Sequence, residues 1–125
     1  MECPSSADAA EQQILMKGND PSAAFNLGNM LRACSRNVEA EAALRAAIRI
    51  DPAFAEAWYN LGDLLDDQGR SEAAIESLRK PVQVAPDYGD AMFNLALLLQ
   101  RKNQCAEAAD YWRRYLAIGS QSEWG

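Results

Sequence analysis

Three asparagines, Asn26, Asn60 and Asn94, stand 34 residues apart in a chain of 125, each between an aromatic residue and a leucine. An asparagine carries donors and an acceptor on one planar amide. That chemistry suits pairing with the N–H and C=O of an extended peptide without reading its side chains. The aromatic residues before them, Phe25, Tyr59 and Phe93, would offer apolar pockets for alternate side chains of such a peptide. Asp63, Asp66 and Asp67 lie close to Asn60 and form one acidic helix face. Such a face attracts lysine or arginine in a ligand, and a solvated surface is its default use.

Other chemistry is excluded by composition. The chain has no histidine, which removes Ser-His and Cys-His triads, zinc–histidine sites and imidazole acid–base catalysis. There is no phosphate-binding loop and no metal-ligand spacing, so no catalytic residue, metal or cofactor is expected. A net charge of −6 argues against a nucleic-acid surface. The charge is uneven: residues 55–88 hold three basic and seven acidic side chains, residues 89–125 four of each. No apolar run approaches a membrane span. The start "MECPSSADAA" lacks the basic and apolar regions of a signal peptide, and the three cysteines, Cys3, Cys34 and Cys105, are far apart and odd in number. Reduced thiols and a cytoplasmic location are therefore expected.

The elements that must position the asparagines follow from the same interval. Windows 21–54, 55–88 and 89–122 align without a gap. Leu27, Leu61 and Leu95 share a column; so do Gly28, Gly62 and Ala96; Leu31, Leu65 and Leu99; Ala40, Ala74 and Ala108; Leu44, Leu78 and Trp112; and Ile48, Val82 and Leu116. Self-similarity at a fixed period marks a repeat array. Within the second window Trp58, Leu61 and Leu65, then Ala74, Ile75, Leu78 and Val82, recur at three- and four-residue steps, so each window predicts two helices. Gln68–Gly69 separates them, and Asp20–Pro21 opens the first as N-cap and first-turn proline. Gly28 against Ala40, Gly62 against Ala74 and Ala96 against Ala108 mark where paired helices touch, and a large side chain there would cost about 1–3 kcal/mol.

"AEAWYNLGDLLDDQGRSEAAIESLRKPVQVAPDY" resembles the 34-residue signature of the tetratricopeptide repeats, with its Trp-x-x-Leu-Gly opening, internal glycine, small residue and closing proline. The resemblance runs from Pro21 to about Ile118. It implies an all-α, right-handed α-α superhelix, a tetratricopeptide repeat solenoid of three repeats. Ala24 and Met92 depart from the opening tryptophan, and Gly119–Ser120 replaces the closing Asp51–Pro52 and Ala85–Pro86. Pro81 stands where the other windows have Ala47 and Tyr115; losing its N–H bond to the Ser77 carbonyl predicts a kink or a tightened last turn. Residues 1–20 form a capping segment, with a helix over Ser5–Lys17 that Ser5 or Ser6 caps, Gly18 stops, and Ala10, Ile14 and Leu15 seat on the first repeat. "SQSEWG" resembles a capping box, so 123–125 would begin a cut-short final helix. That leaves Leu99, Trp112, Tyr115, Leu116 and Trp124 uncovered, for a longer chain or for a homodimer to cover. The closing "DYWRRYLAIGSQSEW" also resembles, more loosely, the repeat region of some bacterial MerR-type helix-turn-helix regulators, without a DNA-binding helix.

The resemblance places Asn26, Asn60 and Asn94 in a row along the concave side. The row is similar to the peptide-holding asparagine ladder in the repeat region of O-linked N-acetylglucosamine transferase. A structural role, bridging neighbouring helices while the aromatics pack between repeats, is the alternative. Family members that clamp C-terminal carboxylates use Lys, Asn, Asn, Lys and Arg; the matching positions here are Phe25, Asn29, Asn60, Asp90 and Asn94. All three cations are missing, so clamp binding is rejected. The expected function is protein interaction: docking of an extended peptide or a partner helix in the groove, with Asn29 beside the row and Asp63 selecting against acids. Self-association through the C-terminal face and service as a non-catalytic part of a larger regulator or enzyme are the alternatives. The expected partner is a protein or peptide, not a nucleic acid or a membrane.

Overall fold

A computed structural model describes residues 20–124, and their side chains as far as Gly119. It contains six helices and, among the described residues, no strand: α1 Pro21–Ala33, α2 Asn37–Ile50, α3 Ala55–Asp67, α4 Ser71–Val84, α5 Gly89–Arg101 and α6 Cys105–Trp124. The expected helix over Ser5–Lys17, the state of Cys3 and the cover of Trp124 lie outside the described residues. No described helix is long and apolar enough to cross a membrane.

Each helix packs chiefly on its pair partner, α1 on α2, α3 on α4 and α5 on α6, and each second helix packs on the first helix of the next pair. The reason is the shared apolar columns. Leu31, Leu44, Leu61, Leu65, Leu78, Leu95 and Leu99 are at most 1% exposed and belong to one continuous cluster. Gly28 and Gly62 let the paired axes approach. A Cβ on Gly28 would lie 2.8 Å from Leu44 Cγ, and one on Gly62 would lie 2.7 Å from Leu78 Cγ.

The turn within each pair repeats as faithfully as the core. Ser35, Gly69 and Asn103 occupy one column and all adopt left-handed backbone, with φ of 63°, 76° and 63°. The next residue then donates its N–H five residues back, Arg36 to Leu31, Arg70 to Leu65 and Gln104 to Leu99, each at 2.9 Å. This is the closure that satisfies orphan carbonyls at a helix end. It leaves no slack before the second helix, which starts one residue later. At the entry to α1, Asp20 accepts from Ala23 N–H at 3.2 Å, as an N-cap should.

Four expectations are corrected. The helix runs unbroken through Pro81 to Val84, and the Ala85 N–H bonds to the Pro81 carbonyl at 2.8 Å in the ordinary i to i−4 pattern, so the last turn is not tightened. The proline is buried, and so near the end only one ladder bond is lost. No new helix starts at Ser120: α6 is continuous from Cys105 to Trp124, because Gly119 and Ser120 weaken a helix by only about 1 kcal/mol or less and no proline stops it. Leu99 is not on an open face but fully buried between α5 and its neighbours. Cys34 is disulfide-bonded, while Cys105 is a free, exposed thiol. Distance along the sequence does not prevent a bridge once folding brings two Cβ atoms together.

Candidate functional site

The first helices of the three pairs lie side by side and are tied directly to one another. The 34-residue repeat does not set the ties; offsets of 31 and 35 do. Asn60 Nδ2 donates to Asn29 Oδ1 at 2.7 Å, and Asn94 Nδ2 donates to Tyr59 Oη at 3.1 Å. Arg32 reaches Asp63 at 3.0 Å and also pairs with Asp67. Arg101 pairs with Asp66 at 3.0 Å. A side chain on one first helix therefore meets its neighbour three residues before, or one residue after, the position that matches its own.

The second helices have their own set of ties. Arg70, at the start of α4, pairs with Glu41 of α2 at 2.7 Å, and Arg79 of α4 pairs with Glu107 of α6. Burial pushes the Glu41 carboxyl up, but hydrogen bonds from Arg45 and Arg70 outweigh it and hold the group below its usual range.

The three asparagines of the expected row differ in their surroundings. Asn26 is exposed. Asn60, Asn94 and Asn29 are half-buried, and each of the first two spends an amide hydrogen on a neighbouring helix. An amide retains a second hydrogen and its carbonyl oxygen after one such bond. The aromatic row serves the joints between pairs. Phe25 stacks on Phe54 with centroids 5.0 Å apart, and Tyr59 on Tyr88 at 5.4 Å. Phe54 and Tyr88 are the residues that open α3 and α5, so each stack joins one pair to the next. The third pair differs. Phe93 packs edge-on against Trp112 at 5.2 Å and Tyr115 at 5.5 Å, both on α6, and remains 40% exposed.

Asp63 is not the bare acid that selection against acidic ligands requires. Arg32 sits on it and on Asp67, while Arg101 takes Asp66, so most of the expected acidic face is neutralised from within. The sequence reading missed these arginines because it compared columns only with themselves. Testing for opposite charges at offsets of 31 and 35 would have found Arg32 and Arg101. It also passed over Leu97, which is 39% exposed in the column holding Asn29 and Asp63.

Nearby carboxylates act on the tyrosines. Tyr88 is pushed up to about 12, first by burial and then by Glu56, Tyr59 and Asp90. Tyr59 is raised by burial, then by Asp63 and Asp90, with the Asn94 hydrogen bond acting the other way. Among the described residues no group of three or more acidic or cysteine side chains could hold a metal ion.

Comparison with known proteins matches this geometry. A family model described as "TPR repeat" matches residues 28–69, and one described as "Tetratricopeptide repeat" matches residues 59–123. No curated protein matches the sequence. Among solved structures, a crystal structure of MamA superposes with a TM-score of 0.85 at 23% identity, over 94% of this chain and 68% of that one. MamA 41-end from Desulfovibrio magneticus RS-1 gives 0.77 at 23% identity, over 92% and 65%, and MamA from AMB-1 gives 0.76 at 18%, over 95% and 63%. The chain thus spans about two thirds of the length of these proteins, and the likeness concerns the fold.

Proposed function

This chain belongs to the tetratricopeptide repeat family, a fold that serves generally as a scaffold for protein interaction, and from that premise we propose that it holds an extended peptide or partner helix along the face its first helices share. One observation carries the proposal. The ties Asn60–Asn29, Arg32–Asp63, Asn94–Tyr59 and Arg101–Asp66 join α1, α3 and α5 directly, which supports a single continuous surface rather than three separate ones. Along it, Asn26 and the remaining amide groups of Asn60 and Asn94 offer backbone partners, and Phe25, Tyr59 and Phe93 offer apolar contact. Nothing in this arrangement suggests catalysis, and we assign the chain no enzymatic activity.

Peptide-display selection on the whole chain tests the reading, with Asn26→Ala as the variant. Asn26 takes no part in the ties above, so its loss reports on ligand contact rather than on folding. Enriched peptides that bind Asn26→Ala several-fold more weakly support the surface. Peptides indifferent to it, to Phe93→Ser and to an intact α3–α5 joint would place binding elsewhere.

Self-association is a second reading, favoured by Leu116. It is 66% exposed, whereas Ile48 and Val82 in the same column are 9% and 2% exposed under the following pair. Sedimentation velocity over a hundredfold concentration range is the check; a constant monomer mass removes this reading.

A further inference from the structure

The third pair departs from the first two on the shared face. Where α1 carries Asn29 and α3 carries Asp63, α5 carries Leu97. Asn29 and Asp63 are both engaged in ties between helices. Leu97 faces water at 39% exposure, and Phe93, one turn earlier, does so at 40%. These two side chains are neighbours on the helix surface, four residues apart. Trp112 and Tyr115 back Phe93 edge-on, and the Trp112 indole N–H donates to Gln100 Oε1 at 3.3 Å, fixing the far end. The result is a short apolar strip of two side chains one turn apart, backed by α6.

The charge bordering it is one-sided. Asp90, one turn before Phe93, is exposed, and so is Glu56 in the same column of α3. Neither has an ion-pair partner among the described residues. Both act on the Tyr59–Tyr88 stack, so they stand close to the ground between α3 and α5. The arginines on this face, Arg32 and Arg101, are already engaged by Asp63, Asp67 and Asp66. First-turn acids also suit a helix dipole, yet these two carboxylates remain open to solvent. A cation beside an apolar side chain is the chemistry that matches such a border.

We propose that the Phe93–Leu97 strip, within the shared face described above, seats a bulky apolar side chain of a peptide whose neighbouring lysine or arginine reaches Asp90 and Glu56. The occupant is a basic, apolar segment of another protein. This rests on the reading of the shared face as a peptide site, and it goes further by naming the ligand's composition and its anchor.

The test is the same display selection on the whole chain, followed by titration of synthetic peptides against two variants. Leu97→Asn restores the residue of the first pair. Glu56→Gln with Asp90→Asn removes the charge. Circular dichroism checks folding, and if Leu97→Asn melts early, Leu97→Gln replaces it. The expected peptides carry an apolar residue within a few positions of lysine or arginine. They lose about tenfold in affinity on Leu97→Asn, the scale of one leucine-sized contact. They lose their preference for lysine over glutamine on the charge-free variant. Neutral or acidic peptides, or peptides that bind Leu97→Asn unchanged, overturn this proposal, and the shared face survives if Asn26→Ala still weakens them. Enrichment of nothing overturns both. A chain that dimerises with concentration, and stops doing so on Leu97→Asn, has a second copy as its occupant and also overturns it.

Discussion

At the residue scale, the amide of Asn60 ties the first helix of one pair to that of the pair before it. Its bond to Asn29 is a neutral hydrogen bond in a half-buried place, where such bonds contribute about 1 kcal/mol. A double-mutant cycle of Asn29→Ala and Asn60→Ala, followed by urea unfolding, should give a coupling energy near that value. A coupling of zero would mean the contact does not hold the helices. Gly62 is a stricter position. With Leu78 Cγ 2.7 Å from any added Cβ, Gly62→Val should cost about 1–3 kcal/mol in the same assay, although valine forms helix at least as well as glycine. The cysteines give a test that needs no mutation. With Cys34 bridged and Cys105 exposed, alkylation of the freshly isolated folded chain should add one label, and reduction under denaturing conditions should raise the total to three. Three labels before reduction would return the thiols to the state the sequence suggested.

At the element scale, the turns are the clearest place to intervene. The column of Ser35, Gly69 and Asn103 requires left-handed backbone in every pair, and glycine takes that conformation with least strain. Ser35→Gly should therefore raise stability by about 1 kcal/mol, read as a higher melting temperature. The turn glycine and the helix starts were legible in the sequence because they depend on neighbours a few residues away. Pro81 and Gly119 were misjudged for the opposite reason. Both break local rules, but a buried ring and a helix already nucleated from Cys105 override them. The second helices are linked by Glu41 and Arg70, and this link sets a pH response. The Glu41 carboxyl sits below its ordinary value of 4.5 in the fold, so its contribution is complete above that pH and is lost as pH falls through the lowered value. Arg70→Gln should flatten the loss of stability on acidification below about pH 4.5. An unchanged acid limb would mean that Arg45 alone holds the charge.

At the scale of the whole molecule, the solenoid was readable because apolar columns repeat at the same interval as the helix pairs. The asparagine and aromatic columns stood out for the same reason, as a spacing in the sequence. The pairing of charges was not, because side chains meet across helices at a slipped offset that no column comparison displays. Leu97 escaped notice because only burial distinguishes it from a core leucine. That slipped offset has a further consequence for how such an array can change length. Arg32 of the first pair meets Asp63 and Asp67 of the second, while Asp66 of the second meets Arg101 of the third. Suppose the gene lost its second unit. Arg32 would then be presented with Leu97 and Arg101. Suppose instead that the second unit were duplicated. Asp66 of one copy would face Asp63 and Asp67 of the next, three carboxylates and no cation. Each such junction would forfeit on the order of 1 kcal/mol of attraction or gain a similar repulsion. The leucine columns would accept either edit without complaint. The charges make the three units a fixed sentence rather than interchangeable words, and unequal crossing-over within this gene would be felt first at its arginines.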